Sequence, residues 1–392
     1  MKAKRAWIVA LTTIFAGIAL ALVQNKVAPC MSTLMIAFSI DMATAGWLSS
    51  LFSLVGIVVA LPASVILKRF GPKKGGIFAL GCAIIGSLIG VFTDNATILM
   101  ATRIIEGIGV GLIAVIGPSL IAMWFPEAKR GLPMSIWGAY QMGAQAVMFF
   151  LGSALTMSFG WQGMWWFAGA ACVIALVLYV VCVKSPRPED SHADVQNENV
   201  SISEGVRSGS TWLISLVTML FCIGCFGFVN WIATCWSEIF NWSEGDANFW
   251  VGAFSIGGLF AAVLIGALLN KLKNWRLFGM LALVFYGVIS LLGMNMPSPL
   301  FIVAFVIIYA FADAGFPCVL WTMTAQTVKK PELAGVAMGV VCVGFNVGIL
   351  LGPPITGAVA EVWGWTAASV LICATCLLSM LLLKFVRLYK AE

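Results

Sequence analysis

Twelve apolar runs, each long enough to cross a bilayer, constrain this chain more than any other feature of its sequence. A membrane-spanning helix needs roughly 20 apolar residues. Of the 392 residues, 61% are apolar and 10% are charged, whereas a soluble domain has roughly 45–50% apolar and about 25% charged residues. We therefore predict an all-α, polytopic membrane protein. The runs lie, to within a few residues, at 7–28, 44–67, 75–92, 97–124, 132–155, 162–183, 211–236, 248–269, 276–295, 300–326, 333–357 and 365–387.

The runs form two sets of six, separated by a polar stretch. Residues 184–210 are rich in Pro, Ser, Asn and acidic residues, a composition that cannot bury a core and predicts a linker. We accordingly expect an N-terminal six-helix half (1–183), a cytoplasmic linker loop (184–210) and a C-terminal six-helix half (211–392).

An internal repeat supports this division. Six residues of the first half recur 204 positions later in the second, and the helix boundaries repeat at the same offset. Because both halves have the same number and direction of helices, the repeat predicts parallel halves related by an axis along the membrane normal. The matches join Gly131, Met134, Gly160, Trp161, Ala170 and Cys172 to Gly335, Met338, Gly364, Trp365, Ala374 and Cys376.

The basic residues predict the orientation. If the N-terminus is inside, all 22 Lys and Arg residues except Lys26 and Arg103 fall on the inner side. Cytoplasmic loops of membrane proteins collect Lys and Arg, so we expect both termini to be cytoplasmic in a multi-pass protein of the cell (inner) membrane. The same bias accounts for the net charge of +6 without a nucleic-acid partner.

Short motifs carry a family resemblance over the whole chain. PASVILKRFGPKK (62–74) follows the second helix, and RIIEGIGVG (103–111) lies on the fourth. With the two-half layout, these segments resemble the major facilitator superfamily of secondary transporters, although Ser64 and Lys68 stand where the loop signature has Gly and Asp. NKVAP (25–29) is similar to the cyanate/nitroimidazole-type branch, and WFP with KRG (124–131) to organic-anion branches. The resemblance implies the major facilitator fold, alternating access and a monomer.

Four ionisable residues remain in the spans once the loops are assigned: Lys26, Arg103, Glu106 and Asp313. Such a group costs roughly 2.5–3.5 kcal/mol on insertion scales and is a functional hypothesis by default. Arg103 and Glu106 share one helix face. If they neutralise each other, Lys26 is the uncompensated charge of its half and suits an anionic substrate. Alternatively, Glu106 releases Arg103 on protonation, or Lys26 snorkels to the outer surface.

Asp313 falls near the middle of the tenth predicted helix. Burial disfavours the charged form of a carboxyl group, as a proton carrier requires. The alternative is a counter-ion to Lys26 across the two halves. We assign proton coupling to Glu106 and Asp313.

Uncharged polar residues predict the lining of a binding site. An amide that faced lipid would be unsatisfied, whereas an aromatic residue in a membrane helix more often packs or lies at the interface. The predicted substrate-binding residues are Asn25, Lys26, Arg103, Tyr140, Gln141, Asn230, Trp231, Trp321 and Asn346.

These features predict a secondary active transporter that moves a small, carboxylate-like organic anion. If transport is coupled to protons, we expect symport. The alternative is efflux of a neutral or cationic drug-like solute. No enzyme, metal site or cofactor is expected, because the single histidine, His192, lies in the linker and no phosphate-binding loop occurs. Glycines at 107, 109 and 111, and at 344, 348 and 352, predict close helix packing.

Overall fold

The computed structural model describes residues 2–59, 63–126, 129–184, 206–269, 274–330 and 333–389. The secondary structure over these ranges is entirely helical, which confirms the predicted class. Two short 3-10 turns, Ala28–Cys30 and Pro299–Phe301, accompany the α-helices. The helices are α1 (Lys2–Asn25), α2 (Met31–Phe38), α3 (Met42–Ser50), α4 (Ser53–Val59), α5 (Ala63–Val91), α6 (Ala96–Trp124), α7 (Gly131–Phe159), α8 (Gln162–Cys182), α9 (Gly209–Phe240), α10 (Glu244–Leu269), α11 (Trp275–Met294), α12 (Ile302–Ala325) and α13 (Ala334–Leu383).

Ten helical segments within the described ranges are long and apolar enough to cross a membrane, or eleven if the bent α3–α4 pair is one span. The last segment, α13, has 50 residues and is broken at Gly364, whose φ is 82° and ψ 173°. Gly160, 204 residues earlier, ends α7 with φ 65° and ψ −171°. Glycine adopts positive φ at little cost, so the two equivalent Gly-Trp pairs place the same backbone break in each set of helices.

Three helix boundaries differ from those predicted. After α1 the chain makes a 3-10 turn at Pro29 and continues as α2 to Phe38, where a loop was expected. The second predicted span is bent by 43° between α3 and α4. The helix α5 begins at Ala63, well before position 75, and is interrupted at Gly71, whose φ is 73°. Most of the predicted linker (185–205) and Pro62 of the loop motif lie outside the described residues.

The glycine clusters pack as predicted at every position but one. A Cβ added to Gly109 or Gly344 would overlap the backbone of the facing helix, and one added to Gly352 would lie 2.6 Å from the Ile223 carbonyl oxygen. Glycine permits this approach because it has no side chain. At Gly111 the nearest atom would be 3.7 Å away, an ordinary contact.

The two sets of helices, 2–184 and 206–389, meet where α3 and α4 pack on α13 and where α7 packs on α10. Hydrogen bonds cross this seam from the Met42 amide N–H to Glu361 Oε2 (3.1 Å) and from Asn248 Nδ2 to the Pro29 carbonyl (2.7 Å). We call the end of the molecule where these four residues lie the seam end. We call the opposite end, where Trp7 packs on Phe125, the termini end.

The crossing hydrogen bonds lie at the seam end or midway along the helices. Further bonds join Thr33 Oγ1 to Glu244 Oε2 (3.0 Å) and Ser50 Oγ to the Leu350 carbonyl (2.8 Å). In the part of the chain that the structure describes, no side-chain hydrogen bond crosses between the sets at the termini end. Among the described residues, the side-chain hydrogen bonds between the two sets are thus found at the seam end and midway along the helices.

Candidate functional site

A buried cluster of three charged side chains lies inside the first set of helices. Lys26, just after α1, places its Nζ 2.5 Å from Glu106 Oε1 on α6, and Arg103 Nη1 lies 2.5 Å from Glu106 Oε2. All three side chains are fully buried. Ser87 completes the group, because its hydroxyl accepts from Lys26 Nζ (3.1 Å) and donates to Glu106 Oε1 (2.9 Å).

The Arg103 guanidinium is bound to backbone carbonyls as well as to Glu106. Its Nη1 donates to the Val23 carbonyl (2.8 Å), its Nη2 to the Gln24 carbonyl (3.0 Å) and its Nε to the Leu48 carbonyl (3.2 Å). Arg103 therefore connects the end of α1 to α3 through α6. A guanidinium with this many acceptors is fixed in position and is not free to move to a ligand without breaking them.

Two aromatic rings cover the cluster. Lys26 Nζ lies 4.4 Å from the centroid of the Trp165 ring, and the Arg103 guanidinium carbon lies 5.4 Å from that of Phe52. Both distances are within the range of cation–π attraction. The cluster has two cations and one carboxylate, so its formal charge is +1 in a water-excluded environment.

The hypothesis that Arg103 and Glu106 neutralise each other and leave Lys26 uncompensated is wrong. Glu106 is shared, with one oxygen bound to each cation. Snorkelling of Lys26 to the surface is excluded by its complete burial. The uncompensated charge belongs to the cluster as a whole.

A small cleft lies between the two sets of helices, next to this cluster. Amide and hydroxyl groups of Gln24, Asn25, Ser49, Gln145 and Asn230 line it, and none of the described lining residues is charged. Ser49 Oγ donates to Asn230 Oδ1 across the seam, and Gln145 Nε2 donates to Ser255 Oγ (3.0 Å). The remaining lining residues are Ala28, Ser50, Phe52, Phe149, Phe226, Val229, Ile349 and Pro353.

Gln24 links the cleft to the charged cluster. Its side-chain Oε1 accepts from Gln141 Nε2 (3.0 Å), while its backbone carbonyl accepts from Arg103 Nη2 (3.0 Å). Gln141 Nε2 also contacts the Tyr140 hydroxyl (3.3 Å). One peptide group thus separates the Arg103 guanidinium from the cleft.

Six of the predicted substrate-binding residues lie at or near the cleft. Asn25 and Asn230 line it, Gln141 donates to the lining residue Gln24, and Tyr140 contacts Gln141. Lys26 and Arg103 lie behind the wall, with Glu106 between them.

The other three predicted residues are not among those that line the cleft. Trp231 is fully buried and donates to the Pro353 carbonyl (2.8 Å). Trp321 is 39% exposed. Asn346 packs against Gly56, where no side chain would fit.

Asp313, on α12, is remote from Lys26, so its interpretation as the counter-ion of that residue is wrong. Its Oδ1 accepts from the Cys225 thiol (3.5 Å), and its Oδ2 would lie 4.0 Å from a Cβ at Gly258. Within the described ranges, no Lys or Arg is paired with it.

Gln24, Ser49, Ser50 and Gln145 are the polar residues of the cleft lining that the predicted set omits. Ser49 belongs to a Ser-Ser pair within an apolar run, and Gln145 follows Gln141 by one helical turn. An amide or hydroxyl in a membrane helix needs a partner, so these residues carried a usable signal. Only the tertiary packing shows which of them face the other set of helices: α3 packs on α13 at Ser50, and α7 packs on α10 at Gln145.

Comparisons with known proteins agree with this architecture. The family model described as Major Facilitator Superfamily matches residues 9–341 and 214–392. A 2-nitroimidazole transporter of Escherichia coli is 25% identical over 374 residues, covering 91% of this chain and 89% of that protein. A probable galactarate/D-glucarate transporter of Bacillus subtilis is 22% identical over 363 residues, covering 83% and 79%.

Other similarities are more partial or concern the fold alone. The chain spans only 25%, 41% and 32% of the length of three further MFS-type relatives that it matches. The crystal structure of a bacterial homolog of the human lysosomal transporter Spinster, in an inward-facing and occupied conformation, superposes with a TM-score of 0.74. It covers 96% of this chain and 94% of that one at 16% identity.

Proposed function

Since the chain belongs to the Major Facilitator Superfamily, we propose that it is a secondary transporter that moves a small, carboxylate-like organic anion by alternating access. The observation that carries the anion proposal is the charge of the buried cluster. Two cations share one carboxylate one peptide group behind the cleft wall. Charges interact more strongly where water is excluded, so a net positive cluster favours an anion in the adjacent cleft.

The amides of the cleft would bind the anion directly. Asn25, Gln145 and Asn230 line the cleft, and the amide nitrogen of each donates one hydrogen bond within the protein. Each amide has a second N–H, from which a carboxylate could accept a hydrogen bond. In this proposal Lys26 and Arg103 make the electrostatic potential in the cleft positive and hold the cleft wall in place, while the uncharged residues contact the ligand. The probable galactarate/D-glucarate relative supports this class of substrate, since both of the compounds in its name are sugar acids.

The contacts between the two sets of helices support the proposal of alternating access. We infer twelve spans in two halves, 1–183 and 211–392, with Gly364 dividing α13 into two and the linker at 184–210. The distribution of Lys and Arg supports cytoplasmic termini. Contacts concentrated at the seam end fit a state closed on the outer side, from which the halves would rock apart.

Proton coupling would use Asp313. Its carboxylate is partly exposed and has no basic partner among the described residues, so a proton could bind and leave without breaking an ion pair. Glu106 is held by two cations and a serine, so releasing it would break the cluster.

Ligand-induced stabilisation tests the proposal. The purified protein is heated with a panel of carboxylates, inorganic anions, sugars and organic cations, since a ligand that binds only the folded form raises its stability. We expect a sugar acid or another small carboxylate to stabilise the wild type and to do so much less in Lys26→Met. Stabilisation by cations or neutral solutes alone would overturn the anion proposal.

A second candidate is efflux of a neutral or cationic drug-like solute. It is favoured by the uncharged lining of the cleft and by the 2-nitroimidazole relative. In that case Lys26→Met would leave binding unchanged and substitutions of Asp313 would weaken it.

A further inference from the structure

A second cavity, unrelated to the cleft between the helix sets, opens at the termini end. It measures about 500 Å³, is open to solvent and lies where the start of α9, the segment after α12 and the segment after α13 meet. Among the lining residues that the structure describes, four are basic and none is acidic. The basic lining residues are Arg207, Lys329, Lys330 and Arg387.

Hydrogen bonds between the three segments fix the shape of this basic cavity. Ser208 Oγ donates to the Thr327 carbonyl (3.1 Å), and the Thr211 and Thr327 hydroxyls lie 2.9 Å apart. The Arg387 amide N–H donates to Ser210 Oγ (3.2 Å). Residues more than a hundred positions apart in the chain are thereby brought together, so the convergence of cations is a product of the fold.

The amino end of α9 adds to the positive potential. The helix begins at Gly209, its first two residues line the cavity, and the Ser208 hydroxyl caps the Thr211 amide. The partial positive charge of a helix N-terminus attracts anions, phosphate included. Lys329 Nζ lies 5.7 Å from the Tyr389 ring, which orients it at the rim. The cavity therefore combines side-chain cations with backbone donors.

The aromatic residues around the cavity indicate that the anion it binds is the headgroup of a membrane lipid. Phe385 lines the cavity and is 68% exposed, and Trp212, on the first turn of α9, is 44% exposed. Aromatic side chains at the ends of spans lie at the level of the headgroups, and basic pockets between membrane helices bind anionic headgroups. We propose that the basic cavity binds the phosphate-bearing headgroup of an anionic phospholipid, with Phe385 and Trp212 against its acyl chains.

The test measures lipid-specific stabilisation and binding of the full chain. Protein in phosphatidylcholine nanodiscs is compared with protein in nanodiscs that also contain phosphatidylglycerol, and detergent-solubilised protein is titrated with each lipid. The test variant is Arg207→Gln/Lys329→Gln/Arg387→Gln. The matched control, Lys4→Gln/Arg5→Gln/Lys74→Gln, removes three exposed charges from the same end but outside the cavity.

We expect phosphatidylglycerol to raise the unfolding temperature of the wild type and of the control variant. The cavity variant should lose this shift and bind phosphatidylglycerol roughly tenfold or more weakly, since it lacks three of the cations that attract an anionic headgroup. Equal losses in both triple variants would overturn the proposal, because diffuse surface charge would then explain the effect. So would the absence of any phosphatidylglycerol effect on the wild type.

A third arm distinguishes the lipid from a soluble anion. Inorganic phosphate is added to protein in pure phosphatidylcholine nanodiscs, with sodium chloride at equal ionic strength as the reference. Full stabilisation by phosphate alone would show a soluble-anion site and overturn the lipid proposal. If the triple cavity variant lacks a cooperative transition, Arg387→Gln alone is used, since it keeps the backbone bond to Ser210. Undiminished phosphatidylglycerol binding by that variant would count against the cavity.

Discussion

Lys26 Nζ lies 2.5 Å from Glu106 Oε1, and both side chains are fully buried. Arg103 occupies the other oxygen of the same carboxylate at 2.5 Å. A single carboxylate thus compensates two cations that come from different parts of the chain. Removing one partner of a buried ion pair leaves an uncompensated charge and is strongly destabilising, so the three residues should respond to substitution as a unit.

Glu106→Gln should destabilise the protein more than Lys26→Met does. The first change leaves two neighbouring cations buried without a carboxylate, at a cost of about 3–5 kcal/mol. The second leaves the Arg103–Glu106 pair intact. Unfolding temperatures in detergent would measure the order, and a Glu106→Gln variant as stable as the wild type would contradict the shared ion pair.

Ligand affinity should follow the net charge of the cluster. Lys26→Met brings the formal charge from +1 to zero and should weaken binding of an anion, whereas Lys26→Met/Glu106→Gln restores +1 and should recover much of it. Titration of both variants with the stabilising ligand, analysed as a double-mutant cycle, measures this coupling. Equally weak binding by the single and double variants would show instead that Lys26 contacts the ligand.

Asn230→Ala should weaken ligand binding by roughly 5- to 150-fold, which corresponds to about 1–3 kcal/mol for a lost polar partner. Asn230 lines the cleft and contacts Ser49 across the seam. Trp321→Leu is the control, since Trp321 is not among the lining residues. If both variants bind as the wild type does, the cleft is not the binding site.

Gly46→Ala should reduce uptake at least tenfold while the protein still folds. A Cβ at Gly46 would lie 2.5 Å from the Pro354 Cα, so α3 could no longer approach α13 at the seam end. Gly138→Ala is the matched control, because a Cβ there meets nothing within 4 Å. Initial uptake rates in proteoliposomes measure the effect, and normal rates in Gly46→Ala would show that closure of this seam is dispensable.

Asp313→Asn should abolish the dependence of uptake on a proton gradient while leaving exchange of internal for external ligand. The neutral amide resembles the protonated carboxyl group but cannot release a proton. Uptake into proteoliposomes with and without an imposed pH gradient measures the coupling. Proton-driven uptake that persists in this variant would assign coupling to another group or exclude it.

Much of the fold could be predicted from the sequence because membrane helices are set by local composition. Apolar length predicted the long helices, of which ten or eleven within the described ranges could span a membrane. The equivalent pairs Gly160-Trp161 and Gly364-Trp365 lie at a backbone break in both sets. The helix after Pro29 was missed, because a proline in a short polar stretch is also typical of a loop.

The charged residues show where such prediction ends. The sequence identified Lys26, Arg103 and Glu106 as the unusual residues of the first half, because charge within an apolar run is costly wherever it is found. It could not show that Lys26 pairs with a carboxylate 80 positions away, that Arg103 is bound to three carbonyls, or that amides, not cations, line the cleft. Hydropathy and spacing depend on neighbours along the chain, so they determined the helices. Ion pairing and cleft lining depend on which faces of α1, α3 and α6 meet, and only the tertiary packing decides that.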